Sequence, residues 1–284
     1  MRPKMLFPQN MAELSVSLAQ MTEYSRIIAG GTDIIPAMHD GRIHPDLLVD
    51  ISNIYETTEI RELDDSVLVG ASVCFSILAE SQLINNHFPA VAKAASCIGS
   101  KQIRNRGTIG GNIANASPAG DMLPPLLALD TDLFVFNKNK KLTTRKVQDI
   151  LERGLITGEV ITAVRIPLQP DNRYNCFSKL GSRNAVSISK LNIAINASYS
   201  HKDGLVTDPV IYIGAIGKVP LRASCAENTL NNNPLSAEAL LRFAEALSKD
   251  VSNAIPARKS LPYKKEAVKG LADDIMLQFS KLTE

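Results

Sequence analysis

Residues 103–121 read Ile-Arg-Asn-Arg-Gly-Thr-Ile-Gly-Gly-Asn-Ile-Ala-Asn-Ala-Ser-Pro-Ala-Gly-Asp, a run that is small, polar and rich in glycine. Gly107, Gly110 and Gly111 stand among Thr108, Ile109, Asn112, Asn115, Ser117 and Asp121. Glycine takes positive φ without strain and lets a ligand approach the backbone with no Cβ in the way. Such a density of glycine, hydroxyl and amide groups predicts a backbone packed flat against an extended polar ligand. A plain surface loop is the alternative.

Upstream, Ile27-Ile28-Ala29-Gly30-Gly31-Thr32-Asp33-Ile34 carries a strand into paired glycines, then a hydroxyl and a carboxylate. Successive N–H groups in such a turn point inward and form an anion nest. Thr32 can add a hydroxyl donor. Asp33 repels a phosphate and is expected to point elsewhere. On its own this segment also fits a tight bend.

The remaining motifs are negative. There is no GxxxxGK[ST] and no GxGxxG between strand and helix, so neither a Walker loop nor a Rossmann fingerprint is present. His39, His44, His87 and His201 show no HExxH spacing, and no GxSxG elbow occurs. Cys74, Cys97, Cys176 and Cys225 form no CxxC pair.

Composition narrows the classes further. Hydrophobic residues are 45% of the chain and charged residues 21%, enough for a sizeable core. Lys plus Arg total 31 and Asp plus Glu 29, a net charge of +2 that leaves no nucleic-acid footprint. With little net charge to steer it, docking to partners is expected to rest on shape and apolar area. No apolar run approaches the roughly 18 residues of a membrane helix. The start, MRPKMLFPQN, has no signal-peptide core, and the cysteines read as reduced. The expectation is a cytoplasmic protein with no membrane span.

Along the chain, Asn10 and Glu13 predict a capping box, with Leu14, Leu18 and Met21 on one helical face. Strands are expected at 25–29, 47–51, 67–73, 134–136 and 160–166, and short helices from Pro89 and over 123–129. Pro167, Pro170, Asp171 and Asn172 mark a boundary. Beyond it, alternation from Leu191 to Tyr199, a Lys202-Asp203-Gly204 turn and the run 210–216 predict a hairpin. Two helices then follow, through Leu240–Leu247 and Val268–Leu282. The fold class expected is α+β.

Taken together, AGGTDI at 29–34 and TIGGNIANASPAGDMLPPLLAL at 108–129 resemble the flavin-binding subunit of the molybdenum hydroxylases, a family that includes xanthine dehydrogenase, aldehyde oxidase and carbon monoxide dehydrogenase. IRNRGTIGGNIANASPAGD is the most specific part. EVITAVRIP at 159–167, FSKLGSRNAVSIS at 177–189 and RKSLPYKKEAV at 258–268 extend the resemblance over nearly the whole chain.

The resemblance implies a two-part FAD-binding domain of the PCMH (vanillyl-alcohol oxidase-like) type over 1–172, split near 55–60, and a smaller α+β domain over 173–284. It implies that Ile27, Ile28, Ala29, Gly30, Gly31, Thr32, Asp33 and Ile34 cradle the FAD pyrophosphate. Thr108, Ile109, Gly110, Gly111 and Asn112 would form a second phosphate and ribityl wall, and Asp121 would bind flavin hydroxyls. Ile161 would line the ring and Lys179 its polar edge, where a cation suits a reduced flavin. No side chain is implied as a catalytic acid or base, and no metal. The chain lacks iron–sulfur cysteines and a molybdopterin domain. The implied partners are therefore a separate 2Fe–2S subunit and a molybdopterin-binding subunit, with NAD or another acceptor taking the electrons. Two alternatives stand beside this. One is a stand-alone flavoenzyme resembling the UDP-N-acetylenolpyruvoylglucosamine reductases. The other is a scaffold that holds FAD without catalysis.

Overall fold

The computed structural model describes residues 3–183 and 186–283. The chain starts with β1 (Lys4–Leu6), α1 (Met11–Ala19), β2 (Arg26–Ile28), α2 (Ile34–His39) and β3 (Leu47–Asp50). β3 lies between β1 and β2, parallel to both. Asn10 starts α1 as expected. Its side-chain oxygen accepts the Glu13 N–H at 2.9 Å, and the Glu13 carboxylate takes the Gln9 N–H in return. Leu14 and Leu18 then face Val49, Ile51 and Ile54 in a fully buried cluster.

A second sheet follows, with β4 (Ile60–Glu62), β5 (Ser66–Gly70) and α3 (Phe75–Glu80). Next come α4 (Gln82–His87), α5 (Pro89–Cys97), α6 (Lys101–Arg104), α7 (Ile109–Asn115) and α8 (Leu123–Ala128). β6 (Asp132–Asn137), β7 (Leu142–Lys146), α9 (Val147–Arg153) and β8 (Glu159–Pro167) complete that sheet, in the antiparallel order β4-β5-β8-β6-β7. The last part holds β9 (Arg173–Leu180), β10 (Leu191–Ser200), β11 (Leu205–Gly214), β12 (Leu221–Arg222), α10 (Ser224–Leu230), β13 (Asn233–Pro234), α11 (Ala237–Ala254) and α12 (Leu261–Thr283).

These elements form two compact units. The first comprises 1–78, 100–116 and 130–168; the second comprises 79–99, 117–129 and 169–284. The change at 168–169 falls beside the Pro167–Pro170 punctuation, but two earlier segments also pack with the second unit. The reason is visible in that unit's sheet, ordered β12-β11-β10-β9, which is buried on both faces. Ile193, Ile195 and Cys176 pack into a core with Phe243, Leu247 and Phe279 of the terminal helices. The opposite face carries Asn175, Asn192 and Asn196, each nearly inaccessible. Asn175 accepts the Ala90 N–H at the start of α5, and Asn196 donates to the Ala128 carbonyl at the end of α8. The sheet's asparagines thus satisfy helix-end groups that would otherwise be buried without partners.

The glycine-rich run at 107–115 is not the plain surface loop that stood as the alternative, because Ile109–Asn115 is helical. Glycine disfavours a helix by about 1 kcal/mol per residue. Tertiary hydrogen bonds override that here. The Ile109 N–H donates to the Val73 carbonyl at 3.1 Å and the Gly110 N–H to the Ala71 carbonyl at 2.9 Å. Thr108 caps the helix, its Oγ1 accepting the Gly111 N–H at 3.1 Å.

Candidate functional site

The first unit contains a cavity of about 660 Å³, within the usual range for small-molecule sites. Both glycine-rich segments line it. Ile27 to Ile34 form one wall, Thr108 and Gly110 to Asn112 another, and Val160 with Ile161 of β8 a third.

The first wall is built for an anion. β2 stops at Ile28, Gly31 takes φ +75°, and α2 begins at Ile34. Among the described residues no protein acceptor takes a hydrogen bond from the N–H of Gly30, Gly31, Thr32 or Asp33. Four consecutive donors without a protein acceptor beside a cavity are a nest for an anionic ligand. Asp33 is exposed and leaves the α2 end uncapped; its carboxylate meets the Thr32 hydroxyl at 3.4 Å. Arg26 and Arg42 also line the cavity, and sequence reading did not single them out. Arg42 follows α2, a helix too short and too interrupted by Pro36 to be read from periodicity.

The second wall contributes differently. The first-turn amides of α7 are all engaged within the protein, so they are not donors for a ligand. What faces outward is the bare backbone of Gly111, which is exposed and meets only Thr108 Oγ1 within 4 Å of an added Cβ. Asn112 Oδ1 is buried without a partner. An orphaned acceptor on a cavity wall suits a ligand hydroxyl. Ile109 is fully buried and supports the helix from beneath. Ile161, 3% exposed, gives an apolar surface opposite the polar loops.

Asp121 and Lys179 both lie in the second unit, and the structure brings them together. Lys179 Nζ is 2.5 Å from Asp121 Oδ2 and also donates to the Cys97 carbonyl at 2.9 Å. Asp121 Oδ1 accepts from Ser189 Oγ at 2.5 Å and from Asn192 Nδ2 at 2.8 Å. Both side chains are at least nine-tenths buried. These donors lie 58 to 71 residues from Asp121 in sequence, so local sequence gave no sign of them.

The cavity combines amides that have no protein acceptor among the described residues, an orphaned side-chain acceptor and an apolar wall. Its lining holds no His, Cys, Lys or Tyr among the described residues. Among the described residues no group of His, Cys, Asp and Glu could hold a metal, and no helix is long and apolar enough to cross a membrane.

Comparison with known proteins agrees with this geometry. Residues 2–169 match the family described as the FAD binding domain in molybdopterin dehydrogenase, and residues 177–279 match the CO dehydrogenase flavoprotein C-terminal domain. The chain is 32% identical over 252 residues to the nicotinate dehydrogenase FAD-subunit of Eubacterium barkeri, spanning 86% of this chain and 84% of that one. It is 31% identical over 265 residues to the nicotine 6-hydroxylase medium subunit of Paenarthrobacter nicotinovorans, spanning 91% of each. A carbon monoxide dehydrogenase chain from Hydrogenophaga pseudoflava superimposes with a TM-score of 0.87 at 25% identity, over 97% of this chain and 96% of that one. The chain therefore belongs to the FAD-binding flavoprotein subunits of the molybdenum hydroxylases, a family of oxidoreductases, and its cofactor is FAD.

Proposed function

We propose that this chain is the electron-transfer subunit of a multi-subunit molybdenum hydroxylase, and that the first-unit cavity holds its FAD. Its partners in this reading are a 2Fe–2S subunit and a molybdopterin-binding subunit, with NAD or another acceptor taking the electrons. When bound, FAD supplies the exchange between one-electron and two-electron transfer.

The chain's own residues bind and orient. The N–H groups of Gly30 to Asp33 receive the pyrophosphate. The bare backbone at Gly111 admits the cofactor closely, and Asn112 Oδ1 accepts from a hydroxyl. Ile161 and Val160 keep water from the apolar side of the cavity. Arg26 and Arg42 add positive charge to a lining whose only carboxylate among the described residues is the exposed Asp33.

The observation that carries this reading is the row of four amides that, among the described residues, have no protein acceptor and line a cavity with no His, Cys, Lys or Tyr. A stand-alone reductase needs a proton donor beside its flavin, and among the described residues this lining offers no His, Cys, Lys or Tyr and one carboxyl, the exposed Asp33. Purification from the native host tests the reading. The expected result is a complex containing flavin, iron and molybdenum, and an isolated chain inert towards purines and aldehydes. Recovery of the chain alone with full substrate-oxidising activity overturns it.

A further inference from the structure

The net charge of +2 hides a concentration of positive charge in the second unit. No Asp or Glu occurs from Arg173 to Lys202, from Gly214 to Ala226, or from Val251 to Lys265. The fold brings these three acid-free segments together. Lys190 Nζ sits 5.1 Å from the centre of the Tyr263 ring. Lys264 Nζ donates to the Ala215 carbonyl in the loop after β11. Lys190, Arg258, Lys259, Lys264 and Lys265 thereby share one region, and none of them pairs with a carboxylate among the described residues. The nearest acid in sequence, Glu266, is 3.3 Å from Lys269.

The crowding has an electrostatic cost in the chain by itself. Burial and the neighbouring Arg258 hold the Lys264 ammonium below the ordinary lysine range. An anionic surface laid over the region would relieve it. Apolar groups stand out beside the charges: Ile188 is 81% exposed and Val186 48%, with Tyr263 at 49%. Exposed apolar and aromatic groups rimmed by cations are the anatomy of a protein interface. A site for one small anion would instead converge its donors into a cleft, whereas Lys190, Arg258 and Lys259 are exposed and spread over separate segments.

We infer that the surface around Tyr263, Ile188 and Arg258 is the docking face for an acidic surface on the cluster-bearing subunit. This rests on the electron-transfer reading above, and it departs from the expectation that docking rests on shape and apolar area. Complementary charge steers association, and its loss falls on the encounter rate and on salt dependence.

The test uses the full-length tagged chain expressed in its native host. Arg258→Glu/Lys259→Glu reverses two exposed charges of the face. Lys140→Glu/Lys141→Glu makes the same charge change in an exposed turn of the first unit. The eluate is read for 2Fe–2S absorption, bound FAD and melting temperature. Wild type and the Lys140/Lys141 variant should retain the cluster-bearing chain at about 0.15 M salt. The Arg258/Lys259 variant should lose at least about tenfold of it, with FAD content and melting unchanged. Equal retention by all three overturns the docking face and leaves the subunit reading standing. Absence of any cluster-bearing chain with wild type overturns both. If the variant keeps its partner but loses NADH-dependent flavin reduction, the face is a nucleotide site and the docking inference is wrong.

Discussion

Gly30 and Arg106 touch through their backbones: a Cβ built on Gly30 would stand 1.7 Å from the Arg106 carbonyl oxygen. The two glycine-rich motifs therefore lean on each other. Gly30 is required first by the protein and only then by a ligand. Gly30→Ala has to separate the two walls, and overpacking of this kind costs roughly 1–3 kcal/mol. The expected outcome is a lower melting temperature of the cofactor-free protein together with loss of FAD. Unchanged melting of the cofactor-free variant would show that the contact yields easily.

Gly111 behaves in the opposite way. Its added Cβ meets only Thr108 Oγ1, at 2.9 Å, and its backbone faces the cavity. Valine is a better helix former than glycine by a few tenths of a kcal/mol, while a disturbed Thr108 cap costs about 1 kcal/mol. The net cost is about 0.5 kcal/mol. Gly111→Val should melt within a few degrees of wild type without cofactor, yet lose most of its FAD. Normal flavin content with a large drop in melting would reject the ligand wall.

The contrast between these glycines shows what the sequence displayed and what it did not. The hairpin at 191–214 was legible, because alternation and the Lys202-Asp203-Gly204 turn are local signals. The cap at Asn10 was equally plain. Helix Ile109–Asn115 was not, since its support comes from the Ala71 and Val73 carbonyls, far away in sequence. Both motifs were legible as glycine-rich segments, and both line the cavity. That only the first supplies free amides could be seen only once the hydrogen bonds were known.

Lys179 and Asp121 form a buried ion pair whose neutral half-removal is costly. Lys179→Met leaves Asp121 held by Ser189 and Asn192 but without its counter-charge. Breaking such a pair costs about 3 kcal/mol or more, whereas removing both charges recovers much of it. Urea unfolding of Lys179→Met, and of Lys179→Met/Asp121→Asn, which keeps an acceptor for Ser189 and Asn192, should show a large loss and then a partial return. A double variant less stable than the single one would contradict this account.

Acid stability has an identifiable contributor in the first unit. Burial alone would raise the Asp132 carboxyl, but hydrogen bonds from Lys146 and Arg165 outweigh it and hold the pKa below the ordinary value. A depressed carboxylate stabilises the fold at pH values above the unfolded pKa of about 3.9. That contribution falls away as pH drops through the lower folded pKa. Asp132→Asn should therefore be less stable than wild type near neutrality, and the gap should close below about pH 4. A gap that stays constant down to pH 2.5 would show that the pair's charge is not the cause.

The attachment of the flavin should be non-covalent, because among the described residues neither His nor Cys lines the cavity. Acid precipitation should release all the yellow colour into the supernatant. Colour remaining with the protein would place a covalent link outside the described cavity.

The placement of FAD is tested most directly by hydrogen–deuterium exchange of the full-length chain with and without FAD. The N–H groups of Gly30, Gly31, Thr32 and Asp33 have no protein acceptor among the described residues and should exchange quickly in the cofactor-free protein. On FAD binding, peptides covering 26–37 should become strongly protected. The Ile109 and Gly110 amides, already bonded to Val73 and Ala71, should change far less. FAD binding that leaves 26–37 unprotected, with protection elsewhere in the chain, would contradict the assignment of this cavity.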